Sequence, residues 1–184
     1  MSRSRLIGVA VLIVVVLAAV LLLVALRDRS EEVGAEDATE QVLAEGVQTV
    51  SLAFADRGAV RFVVEQRDVV VSEDRARRAQ QILQALAAGP NDAGAVRTLP
   101  AGTEILRVVF DETGGVFVDF SSRLVSGHPG GSTGELLTIR SVVKTLALNF
   151  PNIESVRFLV EGEEVETIAG HIDATMPFSV VQYG

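Results

Sequence analysis

The stretch Gly130-Gly131-Ser132-Thr133-Gly134 has the G-x-S-x-G spacing of a hydrolase nucleophile. In that elbow the serine sits on a strained turn directly between a strand and a helix. Here the preceding strand is expected to end near Phe120, and His128-Pro129 intervenes. Ser132 is therefore read as a helix cap, with Glu135 completing a capping box. A serine hydrolase ranks third among the functions considered, and no catalytic residue is assigned. The same glycine-rich loop could offer free N–H groups to an anion, with Arg123 and Arg140 as the nearest basic side chains. His128 and His171 are the only histidines. His171-Ile172-Asp173 supplies two ligands where metal sites use three or four. Local hydrogen bonding is expected of both histidines, of Asp119 and of Asp173, and neither a metal nor a cofactor is expected.

Charge suggests contact rather than catalysis. Arg75, Arg77 and Arg78 form the densest basic patch on an otherwise acidic domain. Glu161, Glu163, Glu164 and Glu166 are their acidic counterpart. A contact between such patches on two molecules is heterologous and builds rings or filaments when it repeats.

These residues sit on elements that hydropathy patterning defines. Gln48–Phe54 alternates as a strand, and Val60–Val71 reads as one or two more. Ser72-Glu73-Asp74 opens a helix with Ser72 as its cap and Ala79, Ile82, Leu83 and Leu86 as its buried stripe. Gly89-Pro90 stops it. Ile105–Phe110 and Val116–Phe120 flank a turn at residues 111–115 and predict a hairpin. A second helix follows Ser132, with Leu136, Ile139, Val143, Leu146, Ala147 and Phe150 on one face, widened by Leu137, Val142 and Leu148. Val156–Val160 is the next strand, turned by Glu161-Gly162-Glu163 into another at Val165–Ile168. The resulting fold class is α+β. Two helices pack on a small mixed sheet, with a helix–strand–strand–helix–strand core, extra strands at either end and one preceding transmembrane helix. The strand–helix–strand step predicts a right-handed parallel crossover.

That preceding helix rests on Leu6–Leu26, an unbroken run of 21 residues that is apolar apart from Gly8 and closed by Arg5 and Arg27. A helix of this length spans about 31 Å, the thickness of a bilayer core. The domain plan is a cytoplasmic stub and anchor at 1–27 (span 6–26), an acidic linker at 28–46 and a folded domain at 47–184. The expected localisation is a single-pass cell-membrane protein with its domain outside the cytoplasm. Residues 1–29 hold four arginines and one acid, which leaves 12 basic against 23 acidic side chains in the rest. Such a surface repels a phosphate backbone, so nucleic acid is not an expected partner. The chain has no cysteine, which excludes a disulfide framework, a thiol nucleophile and a cysteine-linked lipid.

Several stretches in order carry a family resemblance: Phe62–Val71 (FVVEQRDVVV), Leu83–Pro90 (LQALAAGP), Leu99–Thr103 (LPAGT), Val116–Ser121 (VFVDFS), Gly131–Phe150, Val156–Gly162 (VRFLVEG) and His171-Ile172-Asp173. Together, over about residues 47–178, they resemble the GerMN (germane) domain of sporulation and spore-germination proteins. The motif positions are Glu65, Arg67, Gly89, Pro90, Pro100, Gly102, Asp119, Ser132, Glu135 and Gly162. The resemblance implies a module similar to the ring-building motifs of secretion-type assemblies, without established catalytic residues and with a scaffolding role in the bacterial cell envelope. This chain has one copy where the spore proteins often have two, and an apolar span where others carry a lipidated cysteine. The expected function is an envelope interaction or scaffold module with protein partners, self-association among them. A binding module for a cell-wall or small anionic ligand, using the loop from His128 to Ser132, is the alternative.

Overall fold

The computed structural model describes residues 45–184. In order they form β1 (Glu45–Asp56), β2 (Phe62–Ser72), α1 (Arg75–Ala87), β3 (Ala95–Val96), β4 (Ile105–Phe110), β5 (Gly115–Phe120), α2 (Arg123–Ser126), α3 (Ser132–Asn149), β6 (Ser155–Val160), β7 (Glu163–Glu164), β8 (Phe178–Ser179) and α4 (Val180–Tyr183). The domain is α+β, but its strands divide into two sheets rather than one. A three-stranded sheet has the order β2-β1-β3, and a five-stranded sheet runs β4-β5-β6-β7 with β8 also on β6.

The first sheet is a long hairpin. β1 and β2 pair antiparallel from Glu45↔Ser72 to Ala55↔Phe62. In the second sheet β4 and β5 form the expected hairpin, with a register shift between Ile105 and Arg107. β5 and β6 pair in parallel across the α3 crossover, as the strand–helix–strand spacing required. β7 covers only Glu163–Glu164, so the strand expected at Val165–Ile168 does not form. Ile168 is instead 1% exposed within a loop whose backbone bonds to α3.

The helices also differ from the expected set. The fold class anticipated two helices and a preceding transmembrane span. Among the described residues there are four helices, two of them single turns, and none is long and apolar enough to cross a membrane. Residues 6–26, on which the span rested, lie outside the described residues.

One continuous core joins the sheets. α1 packs on β4, β2 and β1 through Ala79, Ile82, Leu83 and Leu86, the stripe its periodicity predicted, and α3 packs on β1 and α1. Phe54, Phe120 and Phe158 are essentially unexposed, each contributing roughly 1.5–3 kcal/mol of burial. Phe120 stacks on Phe158 at 5.1 Å, Phe158 meets Phe178 edge-on at 5.4 Å, and Phe178 meets Tyr183 at 5.1 Å. This aromatic row fastens the C-terminus to β6.

α3 departs most from its predicted face. Leu148 is 46% exposed, while Glu135, Thr138, Ser141 and Thr145 are fully buried. The reason lies in β1, whose second edge is covered by β3 only at Ala55 and Asp56. Beyond that point α3 completes the ladder with side chains. Ser141 Oγ donates to Ala53 O at 2.6 Å, and Thr145 Oγ1 accepts from Ala53 N at 3.0 Å. Asn149 accepts from Ser51 N at 3.1 Å and donates to Ser51 O at 2.8 Å. The spacing 141, 145, 149 puts all three on one helical stripe, so the rotation of α3 serves polar satisfaction rather than apolar burial.

Candidate interaction site

α1 starts one residue pair later than its serine suggested. Asp74, not Ser72, caps it: Oδ1 accepts the Arg77 N–H at 2.8 Å. Ser72 Oγ supports the cap by accepting from Asp74 N at 3.2 Å. This opening places Arg75 and Arg78 beside an aromatic pair, Phe110 and Phe150, whose centroids are 5.4 Å apart. The Arg75 guanidinium lies 4.0 Å from the Phe110 centroid and that of Arg78 5.2 Å from the Phe150 centroid. Cation–π attraction holds both charges flat against the rings. Arg75 and Arg77 are exposed and Arg78 is half-buried. The result is a basic ledge with fixed charges.

The acidic residues gather at the β6–β7 turn. Glu161 and Gly162 have φ of 52° and 82°, the two left-handed positions of a two-residue hairpin turn. Asp119, 5% exposed on β5, accepts the Gly162 N–H at 2.8 Å and fixes that turn from beneath. Glu161 accepts from Ser122 N at 2.6 Å, and Glu164 pairs with Arg157 at 2.6 Å. Glu161, Glu163, Glu164 and Glu166 are all exposed. The ledge on α1 borders β4, and the turn borders β7, the other end of the strand order. Three strand spacings, about 14 Å, separate those strands, so the two patches lie at opposite ends of the strand order.

Apart from Ser132, the residues that could do chemistry hold structural bonds. Ser132 is the first residue of α3 and makes no capping bond; Gly131, at φ 82°, holds the cap position. The capping box therefore does not form, because Glu135 points inward. Its carboxylate, 0% exposed, accepts from Ile168 N and Ala169 N through Oε1, both at 2.9 Å, and from His171 N at 2.9 Å and Ile172 N at 3.2 Å through Oε2. His128 accepts from Gly130 N through Nδ1 at 3.0 Å, so its Nε2–H donates to Thr138 Oγ1 at 3.0 Å. Thr138 passes the contact on to Thr98 O at 2.6 Å. Burial lowers the His128 pKa from its ordinary value, against an opposing pull from the Glu135 charge. His171 Nδ1 donates to Ala169 O at 2.8 Å, and Asp173 accepts from Thr175. No group of three or more His, Asp or Glu could hold a metal among the described residues. Arg123 donates to Ala101 O at 3.1 Å and Arg140 lies over Phe62, so neither is seen to serve the Gly130-Gly131 loop. A cleft of about 280 Å³ lies between the 97–101 loop and residues 127–138.

The remaining motif positions are structural joints. Arg67 donates to Ala85 O and Gly89 O, both at 2.9 Å, at the C-terminus of α1. Arg97 donates to Ala87 O and, at 2.6 Å, to Ala88 O. Two cations thus take the last free carbonyls of the helix, where its dipole favours positive charge. Arg97 gave no signal in the sequence, because its partners are backbone atoms ten residues away. Glu65 bonds Arg67 and accepts from Asn91 N at 2.9 Å and Asp92 N at 3.2 Å. Burial raises its pKa, but the Arg67 bond and those two N–H groups outweigh it and hold the carboxyl below its ordinary range. Gly89 needs its lack of a side chain: φ is 92°, and a Cβ would lie 2.5 Å from Arg97 Nη2. Pro100 and Gly102 form a turn closed by Thr103 N to Pro100 O at 3.2 Å.

This arrangement has known relatives. A Clostridium perfringens protein named as a lipoprotein is similar over 76% of this chain and 90% of its own, with 21% identity and a TM-score of 0.52. The first GerMN domain of the sporulation protein GerM from Bacillus subtilis aligns over 72% of this chain and 97% of its own, at 23% identity and a TM-score of 0.54. The tandem GerMN domains of the same protein align at 20% identity and a TM-score of 0.52, over 72% of this chain and 46% of theirs. These likenesses concern the fold. No curated protein matches the chain. The profile of the Germane family, described as sporulation and spore germination, matches residues 51–166, and with that match over most of the folded domain the chain belongs to the Germane (GerMN) family.

Proposed function

We propose that this GerMN domain is a protein-interaction module of a bacterial cell-envelope assembly and that it does not act as an enzyme. The observation that carries the reading is the placement of the ring-braced basic ledge and the acidic turn at opposite ends of the five-stranded sheet. A molecule with complementary patches on opposite sides joins to the next copy, or to a partner of similar charge pattern, head to tail. The engagement of His128, His171 and Asp119 in structural hydrogen bonds supports binding over catalysis. Similarity to a protein named as a lipoprotein supports the envelope setting.

The test reverses Arg75, Arg77 and Arg78 to Glu in the full chain and follows association by sedimentation at low salt. The expected result is weaker association with an unchanged circular-dichroism spectrum, and a shrinking difference above about 0.5 M salt, where exposed charges are screened within a few ångströms. Because Arg75 and Arg78 brace aromatic rings, the Gln triple variant is run beside it. Equal association of wild type and both folded variants would remove the ledge from the interface.

A further inference from the structure

β2 carries a second and different interaction surface. Ala53 directs its N–H and C=O to Thr145 and Ser141 of α3, so its cross-strand partner Val64 belongs to a non-hydrogen-bonded pair of the β1–β2 ladder. Antiparallel pairs alternate. Val64, Gln66, Asp68 and Val70 therefore turn their backbone N–H and C=O groups away from β1, and among the described residues no backbone or side-chain group is seen to bond them. Parts of other strand edges are met by side chains. α3 side chains close β1. Gln80 and Gln84 of α1 bond Ile105 and Leu106 at the start of β4. At the far end of β2 itself, Gln81 accepts the Ser72 N–H at 2.7 Å. The stretch from Phe62 to Val70 is left as an open edge without proline or lysine, of the kind proteins normally blunt. The solvent face beside it is apolar at Val64 (41% exposed), Val70 (52%) and its cross-strand partner Val47 (69%).

We propose that this edge pairs with β2 of a second copy, antiparallel about a two-fold axis at Gln66, to give a continuous six-stranded sheet β3-β1-β2-β2-β1-β3. Charge selects both the occupant and the register. Centred on Gln66, the pairing sets the Glu65–Arg67 pair of one strand against the same pair of the second copy with signs alternating, Glu65 opposite Arg67 twice, and Asp68 opposite Val64. Centred on Glu65, Arg67 or Asp68, it sets like charges directly opposite, which is destabilising. The Gln66 register also closes Phe62, Val64, Gln66, Asp68 and Val70 with about ten backbone hydrogen bonds. Such an isologous contact is closed and stops at a dimer, whereas the contact between the arginine ledge and the acidic turn propagates. A chain with both joins dimers into a larger assembly.

The full chain lacks cysteine, so single thiols report the register. Across the two-fold axis, Gln66→Cys puts two thiols on directly opposed residues, whose Cβ atoms are about 5 Å apart. Asp68→Cys puts them four residues out of register, about 13 Å apart along the strand. With a thiol cross-linker shorter than about 8 Å, Gln66→Cys should give a covalent dimer at least tenfold faster than Asp68→Cys. The rate should not change when Arg75, Arg77 and Arg78 are also reversed, so this interface and the ledge fail or stand separately. Gln66→Pro deletes an outward N–H, which an edge strand tolerates, and should sediment as a smaller species. Equal cross-linking at the two positions overturns the proposal, as does a folded Gln66→Pro that associates like wild type. If Gln66→Pro fails to fold, the pair of thiol variants decides alone.

Discussion

Glu135 on α3 accepts the backbone N–H of His171 at 2.9 Å from a fully buried position, and the same carboxylate takes three more N–H groups of residues 168–172. A loop without regular secondary structure is thereby fixed to the core by one side chain. Glu135→Ala leaves four donors unsatisfied and is expected to cost about 3 kcal/mol or more in urea denaturation. Glu135→Gln keeps one acceptor oxygen and should cost less. A loss below about 1 kcal/mol for the alanine variant contradicts this role.

The polar stripe of α3 makes a similar prediction for β1. Thr145→Val keeps the shape of the side chain and removes the oxygen that accepts from Ala53 N. An unpaired buried N–H costs about 1–3 kcal/mol. Leu148→Ala, on the exposed side, should stay within about 0.5 kcal/mol of wild type. Comparable stability of the two variants would mean that α3 does not close the β1 edge.

Caps give the clearest contrast between sequence and structure. Ser132 makes no capping bond, so Ser132→Ala is expected to change stability by less than about 0.5 kcal/mol. Asp74 accepts from Arg77 N, so Asp74→Ala should cost about 1 kcal/mol. Thermal unfolding of both variants checks the assignment, and a reversed order sinks it.

These cases show what the sequence could carry. The stripe Ala79, Ile82, Leu83 and Leu86, the Gly89 stop and the β4–β5 hairpin were legible because each depends on local periodicity or turn chemistry. The rotation of α3 was not. It depends on Ala53 and Ser51, about ninety residues away, needing partners for their backbone groups. Glu135 read as half of a capping box because its spacing from Ser132 fits one, and only the distant 168–172 loop shows where its carboxylate goes. β3 and β7, two residues each, are set by pairing and leave no pattern. The division into two sheets was hidden for the same reason, since alternation marks strands and not their neighbours. The charged patches were visible as composition; their placement at opposite ends of the sheet followed only from strand order.

Acid should destabilise the domain in two stages. The folded His128 has a lowered pKa, so as pH falls from about 7 towards that lowered value the unfolded chain takes up a proton that the folded chain resists. That contribution is present above about 6.5 and is lost as pH falls through the folded value. Asp56, Glu65, Asp111 and Asp173 also sit below their ordinary values. Their contributions persist above about pH 4 and disappear as pH falls through the folded pKa of each. Urea midpoints from pH 8 to pH 3 should decline in both windows, and His128→Asn should flatten the upper one. A wild-type profile that stays flat from about pH 7 to about pH 5 contradicts the His128 assignment.

Exchanging charges tests whether the arginine ledge of one molecule meets the acidic turn of the next. One variant carries Arg75, Arg77 and Arg78 as Glu; the other carries Glu161, Glu163 and Glu166 as Arg, leaving the Arg157–Glu164 pair intact. Each alone should associate at least tenfold more weakly than wild type in low-salt sedimentation, and an equimolar mixture should recover association between the unlike chains. Weak association of each variant with no recovery in the mixture, both being folded, would contradict the head-to-tail contact.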